Sequence, residues 1–431
     1  MGHFQIPYHK TPVSVSIPDE NVQYYIDLKL TVSGKSNALL LEEAISRSDA
    51  GLLGEFVEGK SVGLIVEDST RDVPLEDLLE TSGPGLSKAR HIVLFIATGT
   101  HDGENEGNRK ITEQVLTCQK KYNLAIEKIV LNDCHADTFY LAGTTTGINN
   151  QIYVHRDSKD VDVFVVFSDM KNHYFAGYSN AIKNFMPGIC NYESTEKNHS
   201  LALDDHSTFG YHPLHPDPDR RYNPLAIDMW EAYQLITAGR PTYVVATISK
   251  KETVLWCGAG LLEEIVVKGI EEVDRMMSMK VNRVDKLIVS CGGYPNDESL
   301  YTAQRALELS KNGVKDKGEI LFFAGCADGL GPEKSINNFF EPLQDEIATI
   351  LSRLNDKYIM YAHKTYKFAQ LIDRMKRISL VSELQPDIVK KIHLSPENQP
   401  QSLIDTWLRE DPDSSIGIIT DGNKLALHRK T

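Results

Sequence analysis

The strongest constraint on this chain is an alternation. Short β-branched runs recur at 62–67 (VGLIVE), 92–97 (IVLFIA), 127–131 (EKIVL), 162–167 (DVFVVF) and 242–248, with helix-length amphipathic stretches between several of them. Near-continuous apolar strands joined by helices predict mainly parallel sheet, covered on both faces. After a charged, Met-rich helix at 271–284 the pattern restarts with KLIVS (286–290), EILFFAG (319–325) and RISLVSE (377–383). A chain of 431 residues exceeds what one core usually supports. The expectation is therefore an α/β protein of two domains, each built on a mainly parallel sheet flanked by helices. The N-terminal domain is expected over 1–280 and the C-terminal domain over 281–415. The strand and tail at 416–431, beginning IGIITDG, are free to return to the first sheet.

Ligands of open parallel sheets sit beyond the carboxyl ends of the strands. Here those ends run into polar loops: Asp68-Ser69-Thr70-Arg71-Asp72-Val73-Pro74, Thr98-Gly-Thr-His101, DMKNHYFAGYSNAIKNFMPG (169–188), CGGYPND (291–297) and CADGLG (326–331). Five such loops from two domains predict one active site in the cleft between the domains. Composition narrows what binds there. A net charge of −14 argues against a broad basic surface for nucleic acid, and no stretch approaches the roughly 18–20 apolar residues that span a bilayer. Six dispersed cysteines without a CxxC pair read as reduced thiols, and no secretory signal is visible, so the cytoplasm is the expected compartment.

Individually, the loop residues leave alternatives open. Asp68 and Arg71 can form an anion-binding fork or a surface ion pair. His101, beside a Gly turn, is a candidate acid or base, or a structural histidine. In the 169–188 segment, Gly177 permits a tight turn, and Ser179 or Asn180 can cap a short helix that Pro187-Gly188 ends. Lys183 in that helix would be nucleophilic if buried and ordinary if solvated. His199 is a possible metal ligand, whereas His206, His212 and His215 match no strong zinc spacing and lie around the Pro- and Asp-rich stretch 212–224, which reads as a surface loop. Neither GxGxxG after a strand nor GxxxxGK[ST] is present.

Taken together and in order, DSTRDVP, ATGTHDG, HYFAGYSNAIKNFMPGI, NHS, GGYPND and AGCADGLG resemble the lactate racemase family, whose members use a nickel-pincer nucleotide. The resemblance runs over nearly the whole chain and is most specific in H-x-F-A-G-x-S-x-x-x-K-x-x-x-P-G-I. It implies an N-terminal cofactor-binding and catalytic domain and a C-terminal substrate-contacting domain. The implied cofactor is a pyridinium-3-thioamide-5-thiocarboxylic acid mononucleotide carrying nickel, covalently attached to Lys183. His199 matches the histidine that completes the nickel coordination, and Asp68, Ser69, Thr70 and Arg71 match the loop contacting cofactor and substrate. His101 and His173 match the two catalytic histidines, which exchange acid and base roles while C2 of a 2-hydroxyacid is inverted by hydride transfer through a 2-keto acid. Enzymes that make the cofactor are implied partners.

The departures from the family pattern concern substrate. Where family members carry Gln and Lys after GGYP, this chain has Thr302 and Arg305, following Tyr301. In place of a tryptophan further on it reads YAHKTYKF (361–368), which includes Lys364. These residues imply an acid larger or more polar than lactate, dicarboxylic or sugar-derived. The alternatives are lactate racemase proper, an enzyme in which Lys183 reacts directly without nickel, and a non-catalytic hydroxyacid sensor.

Overall fold

The computed structural model describes residues 1–30, 32–71, 73–250, 252–333 and 336–430, with the backbone alone over 354–356. The chain divides into two compact units, Leu30–Met276 and a second that joins Met1–Lys29 to Met277–Thr431. Each is an α/β unit on a six-stranded sheet.

In the Leu30–Met276 unit the strands lie in the order Thr253–Leu261, Thr242–Lys250, Val163–Asp169, Ser61–Glu67, His91–Ala97, Ile126–Leu131. All neighbours are parallel except Thr253–Leu261, which folds back antiparallel on Thr242–Lys250. Ser61–Glu67 and Val163–Asp169 are buried along their whole length, which is why they read as unbroken apolar runs. The chain moves outward from Ser61–Glu67 through His91–Ala97 to Ile126–Leu131, then returns to the other side with Val163–Asp169. That reversal leaves a crevice beyond Glu67 and Asp169, the place where such sheets bind ligands.

The second unit orders its strands Ser395–Pro396, Arg377–Val381, Val314–Phe323, Val284–Ser290, Ile416–Ile419, Val22–Ile26, all parallel. Ile288, Leu321, Phe323, Ile418 and Trp407 meet in its core. Glu319, buried at the start of its apolar run, accepts from Lys286 Nζ at 2.7 Å, Lys376 Nζ at 3.2 Å and Arg377 Nε at 2.7 Å.

Two boundaries differ from those expected. Residues 1–29 belong with the C-terminal unit, because Val22–Ile26 pairs in parallel with Ile416–Ile419. Ile416–Ile419 likewise lies in the second sheet, not the first, and Ala426–Arg429 pairs in parallel with Ser278–Val281 in a separate two-stranded sheet of the same unit. Val22–Ile26 alternates buried and exposed positions as edge strands do, so no apolar run announced it.

Candidate active site

Strands Ser61–Glu67 and His91–Ala97 pair with Glu67 opposite Ala97, so the loops that follow start side by side. This joins residues 33 positions apart: Asp68 Oδ2 lies 2.7 Å from His101 Nδ1. Thr70 Oγ1 donates to the other carboxylate oxygen at 2.7 Å. Burial alone would raise the Asp68 carboxyl, but the hydrogen bonds from His101 and Thr70 and the charge of Arg71 outweigh it and hold it below the ordinary range. An ionised Asp68 accepts a hydrogen bond from Nδ1–H and leaves Nε2 of the half-exposed His101 as the working nitrogen. Ser69 is turned the other way. Its N–H donates to Asn108 Oδ1 at 2.9 Å and its hydroxyl to Asn105 Oδ1 at 3.0 Å, tying the loop to the start of helix Glu106–Tyr122. Asp72 lies outside the described residues.

The 169–188 segment forms a short hairpin, Lys171–His173 against Gly177–Ser179, and then a single helical turn, Ile182–Phe185. Asn180 Oδ1 accepts from Ile182 N at 2.9 Å, so Asn180 rather than Ser179 starts that turn. Gly99 N donates to Gly188 O at 3.0 Å, which binds the His101 loop to the turn that carries Lys183. Lys183 is buried, its Nζ 5.6 Å from the centre of the Phe175 ring. Among the described residues no carboxylate pairs with it. Burial, helped by Arg71 and opposed by Glu67, pushes its amine down to about 7.

The same phenylalanine meets two histidines. His199, on helix Tyr192–Ser200, sits edge-on to Phe175 at 5.4 Å, and His173 does so at 4.4 Å. Burial and the nearby Lys183 lower His199 to about 3, against a hydrogen bond to the Thr195 backbone, so the imidazole is neutral at any ordinary pH. His173 Nδ1 accepts from Ala176 N at 3.2 Å, placing the proton of the neutral ring on Nε2.

Sequence reasoning missed Glu67. Its Oε1 accepts from Ser168 Oγ at 3.1 Å and Asp169 N at 3.3 Å, while Oε2 is buried without a hydrogen-bond partner among the described residues. Burial raises this carboxyl to about 7. The available signal was an acid ending an otherwise apolar strand at the sheet's reversal.

Tyr301, Thr302, Arg305 and Lys364 come together within the second unit. Lys364, on helix Ala362–Arg374, places Nζ 3.2 Å above the centre of the Tyr301 ring and donates to Tyr301 O at 3.4 Å. Thr302 Oγ1 is 3.2 Å from Ser299 Oγ at the start of helix Leu300–Ser310. Burial and the neighbouring Arg305 lower the Lys364 amine to about 7. His363 is turned to Tyr358, whose hydroxyl is 2.8 Å from Nδ1.

Among the described residues, no three or more His, Cys, Asp or Glu side chains are arranged to hold a metal ion, His206, His212 and His215 included, and no helix is long and apolar enough to cross a membrane. All six cysteines are free thiols.

A doubly wound sheet whose reversal point gathers an Asp–His pair, a buried lysine of lowered basicity and two further histidines is the architecture of an α/β enzyme. Residues 8–210 match the lactate racemase N-terminal domain and residues 279–426 the lactate racemase C-terminal domain. The chain belongs to the lactate racemase family. It is 26% identical to the lactate racemase of Thermoanaerobacterium thermosaccharolyticum over the full length of both chains. It is 23% identical to that of Lactiplantibacillus plantarum over 98% of this chain and 99% of the relative. The fold matches the structure of the T. thermosaccharolyticum lactate racemase apoprotein with a TM-score of 0.83 at 24% identity, covering 99% of this chain and 100% of that one. A Thermotoga maritima protein matches at 0.61 and 13% identity over 93% of this chain and 100% of that one.

Proposed function

We propose that this chain is a racemase or epimerase that inverts C2 of a 2-hydroxyacid, using a nickel-pincer nucleotide attached to Lys183 and supplied by cofactor-making enzymes. The observation that carries this reading is the pair Lys183 and His199, both buried and both against Phe175, the amine brought down to about 7 and the imidazole neutral. A neutral amine suits covalent attachment, and a neutral imidazole suits one bond to a metal whose other ligands come from the attached group.

When bound, the group supplies the acceptor to which the C2 hydrogen passes as hydride and from which it returns, the substrate becoming a planar 2-keto acid in between. The chain's own residues do the rest. Arg71 binds the substrate carboxylate and keeps the flat intermediate in place. His101, its Nδ1 fixed by Asp68, holds the hydroxyl proton of one enantiomer at Nε2. His173, whose neutral ring carries its proton on Nε2, is assigned to the oxygen of the other enantiomer, which points elsewhere. Within the second unit, Tyr301, Thr302, Arg305 and Lys364 supply two cations, a phenol and a hydroxyl. We propose that they select a second carboxylate or a polyhydroxylated tail over the methyl group of lactate.

The test is co-expression with cofactor-making enzymes, intact-mass analysis, and a panel of C2-deuterated acids from lactate through malate to gluconate-like acids. A nickel-containing adduct on Lys183 with inversion that retains deuterium is expected. Loss of the label to solvent would refute hydride transfer. Active but unmodified protein would favour direct chemistry at Lys183, an alternative that its near-neutral amine also suits. Preference for lactate, unchanged by Lys364→Gln, would refute the assigned tail-binding role.

A further inference from the structure

The stretch 212–224 does not lie loosely on the surface. It grips the back of the hairpin that carries His173, and the grip centres on Asp274. This aspartate stands in the last turn of helix Leu262–Met277, the end of a helix where the backbone dipole disfavours an acid. Gly269 lets that helix press onto the strand end, since a Cβ there would lie 2.0 Å from Met170 Sδ. The Asp274 carboxylate accepts from Tyr178 Oη at 2.6 Å and from both terminal nitrogens of Arg220, and His215 Nε2 lies 3.4 Å away. Asp217 N donates to His215 Nδ1 at 2.9 Å, so the His215 proton is on Nε2 and faces the carboxylate. Arg220 also donates to Tyr178 Oη at 2.8 Å and, through Nε, to Gly210 O at 2.8 Å. Burial would raise Asp274, but hydrogen bonds from His215, Arg220 and Tyr178 hold it well below the ordinary carboxylate range.

Every strand of this grip leads to the site. Tyr178 pairs across the hairpin with Asn172, next to His173, and Gly177 pairs with His173 itself. Gly177 (φ +77°) has no room for a side chain, because a Cβ would lie 1.8 Å from Tyr211 O. Asn223 Nδ2 donates to Phe175 O at 2.9 Å, holding the ring that Lys183, His173 and His199 share. Asn180, which starts the Lys183 turn, lies 3.2 Å from His212 Nε2.

We infer that Asp274, acting through Tyr178 and Arg220, is a positioning residue that fixes His173 and the Phe175 ring for turnover. It touches neither substrate nor cofactor. A misplacement on the order of 1 Å at a catalytic imidazole costs about 100-fold in rate, whereas binding of the substrate carboxylate at Arg71, on another loop, is left alone. Only this turnover effect rests on the proposed function.

The experiment uses the full chain with 13C-labelled histidine, the His173 ring signal being assigned with His173→Gln, in Asp274→Asn and Tyr178→Phe. Both variants are expected to move the His173 signal while leaving that of exposed His3 in place and lowering the melting temperature by about 5 °C or less. Cofactor-loaded Asp274→Asn should lose about 30- to 100-fold in kcat with KM within about threefold of wild type. An unmoved His173 signal in folded Asp274→Asn overturns the inference, as does a variant that loses KM and kcat alike. Should Asp274→Asn not fold, Tyr178→Phe, which removes one hydroxyl and keeps the Arg220–Asp274 pair, decides by the same signal. Wild-type chain inactive on every acid tested would count against the proposed function, while the histidine signals would still judge the positioning role.

Discussion

Buried charge is treated in opposite ways at Glu319 in the second unit and around Lys183 in the first. In the second, Glu319 is surrounded by Lys286, Lys376 and Arg377, and their attraction outweighs burial to bring its carboxyl down to about 2. Around Lys183 in the first, burial governs: Glu67 rises to about 7, Lys183 falls to about 7 and His199 to about 3. One arrangement supports a fold and the other keeps groups in reactive protonation states at a cost in stability. Lys364 is the instructive exception, a lowered amine within the otherwise paired second unit.

The largest effect should come from removing the lysine. Lys183→Ala is expected to lower activity by at least about 1,000-fold and to abolish any adduct in the intact mass. Lys183→Met should be as inactive yet more resistant to urea than wild type at pH 7, because an amine that must shed its proton to be buried is gone. A Met variant no more stable than wild type would mean that Lys183 is solvated, and the contrast between the units would fail. Next comes Asp68→Asn, which leaves the His101 ring in place without the carboxylate that fixes its tautomer. A loss of about 100- to 10,000-fold in kcat is expected, measured in both directions of the reaction.

Much of this site was legible in the sequence, and the reason it was only partly so is physical. Adjacent parallel strands start their loops side by side, so Asp68 and His101 could be placed together once 62–67 and 92–97 were read as neighbouring strands. Lys183 was different. From its neighbours alone it was as easily a solvated lysine, since burial depends on Phe175, His199 and Arg71 arriving from elsewhere, and only the long motif around it singled it out. Glu67 stayed hidden as the last letter of an apolar run. The 212–224 stretch misled because Pro and Asp mark turns locally, while the partner that buries Arg220 and His215 lies on a helix about fifty residues on. Val22–Ile26 was unreadable as part of the second sheet because parallel pairing with Ile416–Ile419 leaves no trace in local sequence.

In the second unit, Glu319→Gln should be the most destabilising of the charge removals, because it leaves Lys286 buried without its ion-pair partner. A loss of about 3–5 kcal/mol is expected. The three tryptophans allow the units to be followed separately, Trp407 reporting the second and Trp230 and Trp256 the first. Urea unfolding followed through Trp407 alone, with the other two changed to Phe, would measure it. A loss below about 1 kcal/mol would show that the pairing does not stabilise this unit.

The smallest effect is also the one that separates the two units most directly, because its sign reverses between them. A carboxyl lowered by folding, Glu319, contributes stability above its unfolded value near 4.5, and that contribution is lost as pH falls toward about 2. A carboxyl raised by folding does the reverse. Glu67 binds its proton more tightly in the folded state, so it favours folding below about 4.5 and that advantage drains away as pH climbs from there to about 7. Wild type should therefore lose up to about 3 kcal/mol between pH 5 and pH 8 in the Trp230 and Trp256 signals, relative to Glu67→Gln. The Gln variant keeps a neutral side chain able to accept from Ser168 and Asp169, and should show a flatter profile over that range with the Trp407 transition unmoved. Parallel profiles for the two proteins would mean that Glu67 ionises freely at the sheet's reversal, and that burial there does not set the charge of the groups around Lys183.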